Sequence, residues 1–409
     1  MYDVLRAKMR GLSDDVIRFA QQLVRTPSLS YAEADVAALV EREMGQIGLD
    51  RVVRDEFGNV VGVLFGREAD PIVLLNCHMD TVPPGEEAAW SEPAYSGRLD
   101  DGRLRGLGAG DCKGGLAGQL YTAALLKRSL LPLRGSLVVA ATVAEEDGGS
   151  VGVRGLIERT LPELDLEPTC AILGEPTGLG LYYGHDGWLE LEITVEGPNP
   201  FHVDDAAWAI FTDLESCCRR THRPEALETA AACPPLFEDL SGHRRATIRM
   251  DRRMGPTEDV DDVLTQVRHT ASLATQTSGA VAVDVAVRQE NHRLYTGQTT
   301  MVRRVTNAWS TDPFCPLMER SRHCLAAAGC EVRPGKWRLG RLGMGTAGHL
   351  LVGEFGVPTV GYGPGEEALV HRPNESVETN KIVEAVYGTA AIVHGLIGVP
   401  VCGWTSDEI

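Results

Sequence analysis

Residues 72–85 read "IVLLNCHMDTVPPG". Aliphatic side chains run straight into a histidine, an aspartate and two prolines. An apolar run of strand length that stops so abruptly marks a buried parallel strand whose C-terminal tip opens into a crevice. In open α/β sheets such tips are where ligands bind. His78 stands at this tip with two readings open: a core histidine whose ring N–H is accepted by Asp80, or a ligand facing a site.

Outward from this strand, "NVVGVLF" (59–65), "GSLVVAATVA" (135–144) and "TCAILG" (169–174) read as further strands, with a helical "KGGLAGQLYTAALLKRS" (113–129) among them. Ser13, followed by two aspartates and an apolar stripe of Val16, Phe19, Ala20, Leu23 and Val24, predicts an N-capped helix that stops at Pro27. A second helical pattern covers residues 32–47. This alternation predicts an α/β fold. From about residue 182 the texture changes, because "GWLELEITVEG" (187–197) and "HRRATIRMDRR" (243–253) alternate polar and apolar residues as half-exposed antiparallel strands do. With helical segments at 204–219 and 257–272, a small α+β unit over 182–293 is expected to interrupt a first domain made of 1–181 and 294–409. "PTVGYGPG" (358–365) reads as a buried strand of that first domain, and 379–397 as its closing helix.

A chain of 409 residues exceeds one ordinary core, which agrees with two domains. Hydrophobic residues make up 43% and charged residues 23%, and no apolar window is long enough to cross a bilayer. The first residues break their apolar positions with charges and show no signal-peptide core, so the chain is read as cytoplasmic. The ten cysteines form neither a secreted disulfide framework nor a CxxC knuckle and are read as reduced thiols, Cys217 and Cys218 being adjacent. A formal charge of −18 argues against nucleic acid and anionic membranes as partners.

Potential metal ligands follow strand after strand: His78 and Asp80, Asp111 in "GLGAGDCKGG", Glu145 and Glu146 in "EEDGG", Glu175 in "GEPT", and His371 in "VHRPNES". Carboxylates mixed with imidazoles suit a pair of divalent ions. The glycines before Lys113 suggest a phosphate loop, but that pattern needs a hydroxyl residue after the lysine and here two glycines follow. They are read instead as letting the backbone come close to the metals.

The motifs "HMDTVPPG", "GLGAGDCKGG", "EEDGGSVG", "GEPT", "GHDG" and "GYGPGEEALVHRPNESV", in this order between residues 78 and 377, resemble one family. It is the group of dinuclear zinc amidohydrolases and exopeptidases that includes acetylornithine deacetylase, succinyl-diaminopimelate desuccinylase, aminoacylase and carboxypeptidase G. The resemblance implies a metallopeptidase-type α/β catalytic domain with a mixed, mostly parallel sheet, interrupted by a smaller α+β lid and dimerisation domain. It further implies two divalent ions per chain, zinc with cobalt or manganese as alternatives, bridged by Asp111. His78 and Glu175 would complete one site, and Glu146 and His371 the other. Asp80 would accept the second ring N–H of His78 and fix its tautomer. Glu145, pointing away from its neighbour Glu146, would be the general base. A cis peptide between Asp111 and Cys112 is implied as well.

The likeness thins in the inserted domain. Relatives carry a histidine in a motif like HxSxPxxGxNAI that crosses a dimer interface to polarise the scissile carbonyl; "GPNPFHVDDAAWAI" (197–210) keeps His202 and loses the serine, proline and asparagine. His202 is read either as this oxyanion donor or as a surface residue. Arg253 of "DRRMGP" either pairs with a substrate carboxylate or makes a structural ion pair. Thr346 of "GMGTAGHLL", followed here by Ala347, is placed at the substrate. The expected function is hydrolysis of an N-acyl amino acid or small peptide-like conjugate by a homodimer. A dipeptidase or aminopeptidase, and an inactive binding scaffold, are the alternatives.

Overall fold

The computed structural model describes residues 1–220, 230–276, 278–279, 281–330 and 340–399. Ile72–His78 is buried along its whole length at the centre of a nine-stranded sheet. It pairs in parallel with Ser136–Thr142 on one side and Cys170–Leu173 on the other, and Thr359–Gly361 adds to Cys170–Leu173, also in parallel. These four strands point their C-terminal ends the same way, which gathers the loops after them at one edge. Antiparallel strands flank this centre: Val60–Leu64 and Arg51–Arg54 at one end, Tyr182–His185 and Trp309–Ser310 at the other.

Both faces of the sheet are covered, as a run such as "IVLLNC" requires. The helices Ser13–Arg25, Gly114–Ser129 and Thr379–Ile397 bury Phe19, Leu23, Leu116, Leu120, Val386 and Ile392 against one face. Leu156, Leu161, Trp309 and Leu350 cover the other. The helix from Ser13 does not start as expected. Another helix, Tyr2–Met9, precedes it, and the Ser13 hydroxyl donates back to the Met9 carbonyl at 3.1 Å instead of capping.

The second sheet has six strands among the described residues, with all pairings antiparallel. Its long central pair, Gly187–Gly197 and His243–Met254, presents alternate residues to the helices Pro200–Arg220 and Val260–Ala274. Leu189, Leu191, Ile193, Val203, Ile210, Ile248 and Val263 form a core of their own there. Two segments depart from the sequence reading. Tyr182–His185 pairs within the large sheet, and Val305–Thr306, well past residue 293, returns to the smaller one. Between them the hairpin Gln289–Arg293 and Thr299–Arg303 reaches back and buries Leu294 and Val302 in the core of the large sheet.

No helix among the described residues is long and apolar enough to cross a membrane. Seven cysteines are described and all are free thiols. The adjacent pair Cys217 and Cys218, and Cys402, lie outside the residues whose side chains are described.

Candidate metal centre

The parallel strand ends bring the expected ligands together. His78, the last residue of its strand, places Nδ1 2.9 Å from the Asp80 carbonyl oxygen and Nε2 3.1 Å from Asp111 Oδ1. A proton on Nδ1 donated to that carbonyl leaves Nε2 with a lone pair for a ligand bond. Asp111 precedes the helix Gly114–Ser129, and its peptide to Cys112 is cis, as the resemblance implies. The second Asp111 oxygen lies 3.1 Å from His371 Nε2, which is 2.9 Å from Glu146 Oε2.

Two groups result, each with its ligand atoms within 4.8 Å of one another: His78, Asp111, Cys112 and Glu175, and then Asp111, Glu146 and His371. Asp111 belongs to both. Cys112 is an addition to the expected set; its thiol donates to the Gly174 carbonyl at 3.4 Å, and burial pushes it well up. A side chain at Gly115 would start 1.9 Å from the Gly174 carbonyl oxygen, so close approach is needed to the neighbouring strand end next to Glu175.

The donor set fits divalent cations. Asp111, Glu145, Glu146 and Glu175 put four carboxylates beside two imidazoles in a largely buried space. Burial and the Asp111 charge push Glu175 up to about 8, and burial pushes Glu145 well up and Glu146 up. Against the opposing effect of burial, the Glu146 and Asp111 carboxylates raise His371 to about 11, and the two histidines hold Asp111 below the usual carboxylate range. Asp111 Oδ2 and Glu146 Oε1 are buried without an aligned hydrogen bond among the described residues, close though His371 Nε2 lies to the first. Excess buried negative charge with unpartnered oxygens is the arrangement that cations complete.

Asp80 does more than the expected pairing with His78. Its carboxylate stands 3.6 Å from His78 Nδ1 as an ion-pair partner, and its backbone carbonyl is the nearer acceptor for the ring N–H. The strand end turns so that the carboxylate accepts the N–H groups of Glu145 (3.0 Å) and Glu146 (3.1 Å) and the Ser30 hydroxyl (2.7 Å). Asp80 thereby orients both glutamates at once. Two more buried carboxylates escaped the sequence reading. Glu375 accepts from the N–H groups of Gly108, Gly110 and Asp111 at 3.1, 2.8 and 3.2 Å, fixing the Asp111 loop. Glu33 accepts from Ala144 N–H at 3.0 Å, just before the glutamate pair. The only signal for Glu375 was its place in "HRPNES"; Glu33 had none.

The residues expected at the substrate are less gathered. Thr346 is 1% exposed and its hydroxyl accepts the Gly348 N–H at 3.2 Å, at the start of the short helix Gly348–Gly353. Arg253 projects from the smaller sheet and donates to the Gly343 carbonyl at 2.9 Å, while Glu367, near enough to feel its charge, accepts the Gly343 N–H at 2.6 Å. His202 lies in the first turn of Pro200–Arg220, exposed, with its ring against Gly279. No described contact joins His202 to the metal residues of its own chain.

Residues 74–291 match the model for peptidase family M20/M25/M40. The uncharacterized protein YgeY of Escherichia coli strain K12 is 26% identical over 405 residues, 96% of each chain. LysW-lysine hydrolase of Deinococcus radiodurans is 30% identical over 392 residues, 92% of this chain and 96% of the relative. Among solved structures, human carnosine dipeptidase 1 superposes with a TM-score of 0.71 at 13% identity, over 97% of this chain and 99% of that one.

Proposed function

The chain belongs to peptidase family M20/M25/M40, and from that membership and the geometry of the site we propose that it is a dinuclear metal-dependent amidohydrolase acting on an N-acyl amino acid or a small peptide-like conjugate. The observation that carries this reading is the pair of ligand groups sharing Asp111, with buried Glu145 near enough to feel the charges of His78 and Glu175 in one and Glu146 in the other. His78 and Glu175 would hold one ion, Glu146 and His371 the other, and Asp111 would join them. When bound, such ions supply Lewis acidity that makes water nucleophilic near neutral pH and polarises an amide carbonyl.

The remaining chemistry falls to the chain's own groups. Glu145 takes a proton from the attacking water and returns it to the departing amine, a shuttle suited to a carboxyl that burial makes more basic than usual. Asp80 keeps that carboxyl aimed by holding its backbone N–H. Arg253, anchored on Gly343 by one nitrogen, offers the rest of its fork to a substrate carboxylate. The division into a catalytic domain and a lid, with the crossings near residues 186 and 307, belongs to the same reading. His202 would polarise the carbonyl from the lid of a second copy in a homodimer, since it is exposed and no described contact joins it to the ligands of its own chain.

The name of one relative, LysW-lysine hydrolase, favours this substrate class, whereas the dipeptidase among the solved structures, at 13% identity, supports the fold alone. The test is a screen of N-acyl amino acids and free dipeptides against protein reconstituted with zinc, cobalt or manganese, with the amine product detected directly. Turnover of acylated amino acids above free dipeptides supports the proposal; the opposite preference turns it into a dipeptidase, and no amine from either class refutes it.

A further inference from the structure

The loop 145–150, which carries Glu145 and Glu146, is gripped from the smaller domain as well as from the large sheet. Arg304 stands between the hairpin and Val305–Thr306, with its side chain 16% exposed. Its Nη1 donates to the Asp147 carbonyl at 2.8 Å and also pairs with the Asp147 carboxylate. Nε donates to Glu190 Oε2 at 3.1 Å, and the guanidinium lies 5.4 Å from the Trp188 ring centroid. The Thr306 hydroxyl donates to the next carbonyl, that of Gly148, at 3.1 Å. Gly148 itself has φ +80°, and a side chain there would begin 2.6 Å from the Trp188 ring, so the glycine of "EEDGG" is what lets the smaller sheet press onto the loop.

The grip and the Asp80 contacts act on opposite sides of the same short peptide. Asp80 takes the N–H groups of Glu145 and Glu146, while Arg304 and Thr306 take the carbonyls of Asp147 and Gly148. Held at both ends, the intervening backbone has little freedom to swing either glutamate. Arg304 also occupies the Asp147 carboxylate, whose other oxygen accepts the Tyr31 hydroxyl at 2.8 Å. Without these partners a third acidic side chain, next in sequence to Glu146, would be released beside the cations as a competing ligand. We propose that Arg304 is a positioning residue that fixes Glu145 and Glu146 and keeps Asp147 out of the metal site, so that the root of the lid sets the geometry of the reaction. This rests on the metal-dependent hydrolase reading above.

The experiment compares wild type, Arg304→Ala, Arg304→Lys and Thr306→Val for zinc affinity by competition with a chromophoric chelator, for kcat and KM, and for folding by circular dichroism. For Arg304→Ala the weaker of two zinc affinities should fall about tenfold or more, and kcat about 10–100-fold, with KM changing less than about threefold. Arg304→Lys keeps the charge but cannot span Glu190 and Asp147 with one fork, so it should recover only part of both losses. Should Arg304→Ala not fold, Arg304→Lys and Thr306→Val carry the test, each expected to lower zinc affinity by at least about threefold. Folded variants with both zinc affinities and kcat within about twofold of wild type overturn the proposal. A merely structural role would lower the melting temperature and leave affinity and kcat in place. Wild-type protein that takes up no zinc refutes the hydrolase reading itself, an outcome distinct from wild type binding two ions and the variants binding them equally well.

Discussion

Asp80 is the residue whose loss the structure prices most directly. Its carboxylate accepts two buried backbone N–H groups, those of Glu145 and Glu146, besides the Ser30 hydroxyl. In Asp80→Ala the hydroxyl can rotate to another acceptor, whereas the two N–H groups are stranded. Leaving a buried donor unsatisfied costs about 1–3 kcal/mol, so the pair amounts to roughly 2–6 kcal/mol. Removing one negative charge from beside Glu33 and Glu145 offsets part of this, and the expected net loss is about 2–4 kcal/mol. Asp80→Asn keeps an oxygen for both N–H groups and forfeits only the charge assistance, about 1 kcal/mol per bond before the same offset. Urea unfolding of the three proteins in chelator should therefore rank wild type above Asn above Ala. With metal restored, both variants should also lose about 10–100-fold in kcat, because Glu145 is no longer aimed. If Asp80→Ala stays within about 1 kcal/mol of wild type and turns over normally, the carboxylate does not hold the glutamate pair.

Glu145→Gln should abolish turnover and retain metal, while Glu146→Gln should lose metal along with activity; equal metal loss in both would show that their roles are misassigned. Mixing inactive Glu145→Gln with inactive His202→Ala should restore part of the activity through mixed dimers, and a mixture that stays inactive after confirmed subunit exchange returns His202 to the surface. His394, buried and lowered to about 4 chiefly by burial and also by the N-terminal charge, binds its proton more readily unfolded than folded. Its contribution is thus present above about pH 6.5 and lost as pH falls towards 4, roughly 2 kcal/mol between pH 6.5 and 4.5. His394→Leu should flatten the pH dependence of urea stability by that amount, and parallel curves for the two proteins would contradict it.

Much of the site was legible because parallel strands announce themselves. "IVLLNC", "LVVAAT" and "CAIL" are apolar on both faces, and His78, Glu145 with Glu146, and Glu175 follow closely after them, so the strand ends and the ligands come as one signal. The bridging place of Asp111 and the cis peptide came from the resemblance, since neither spacing nor composition implies them. What escaped was set by contacts between distant segments. Ser13 looked like a cap until the helix Tyr2–Met9 offered its hydroxyl a carbonyl. Asp80 pairs with the nearest ring as read, but the turn after His78 also carries its carboxylate to the backbone of residues 145–146, a distance along the chain that no local pattern encodes. The hairpin, Glu375 and Arg304 act in the same long-range way.

The central claim is that Asp111 joins two cation sites. Calorimetric titration of chelator-stripped protein with zinc, paired with elemental analysis, tests it most directly. The account predicts two zinc ions per wild-type chain, and weakened binding of both in Asp111→Ala, because that one carboxylate serves both groups. Wild-type protein that takes up no zinc, or an Asp111→Ala protein that binds both ions as tightly as wild type, would contradict it.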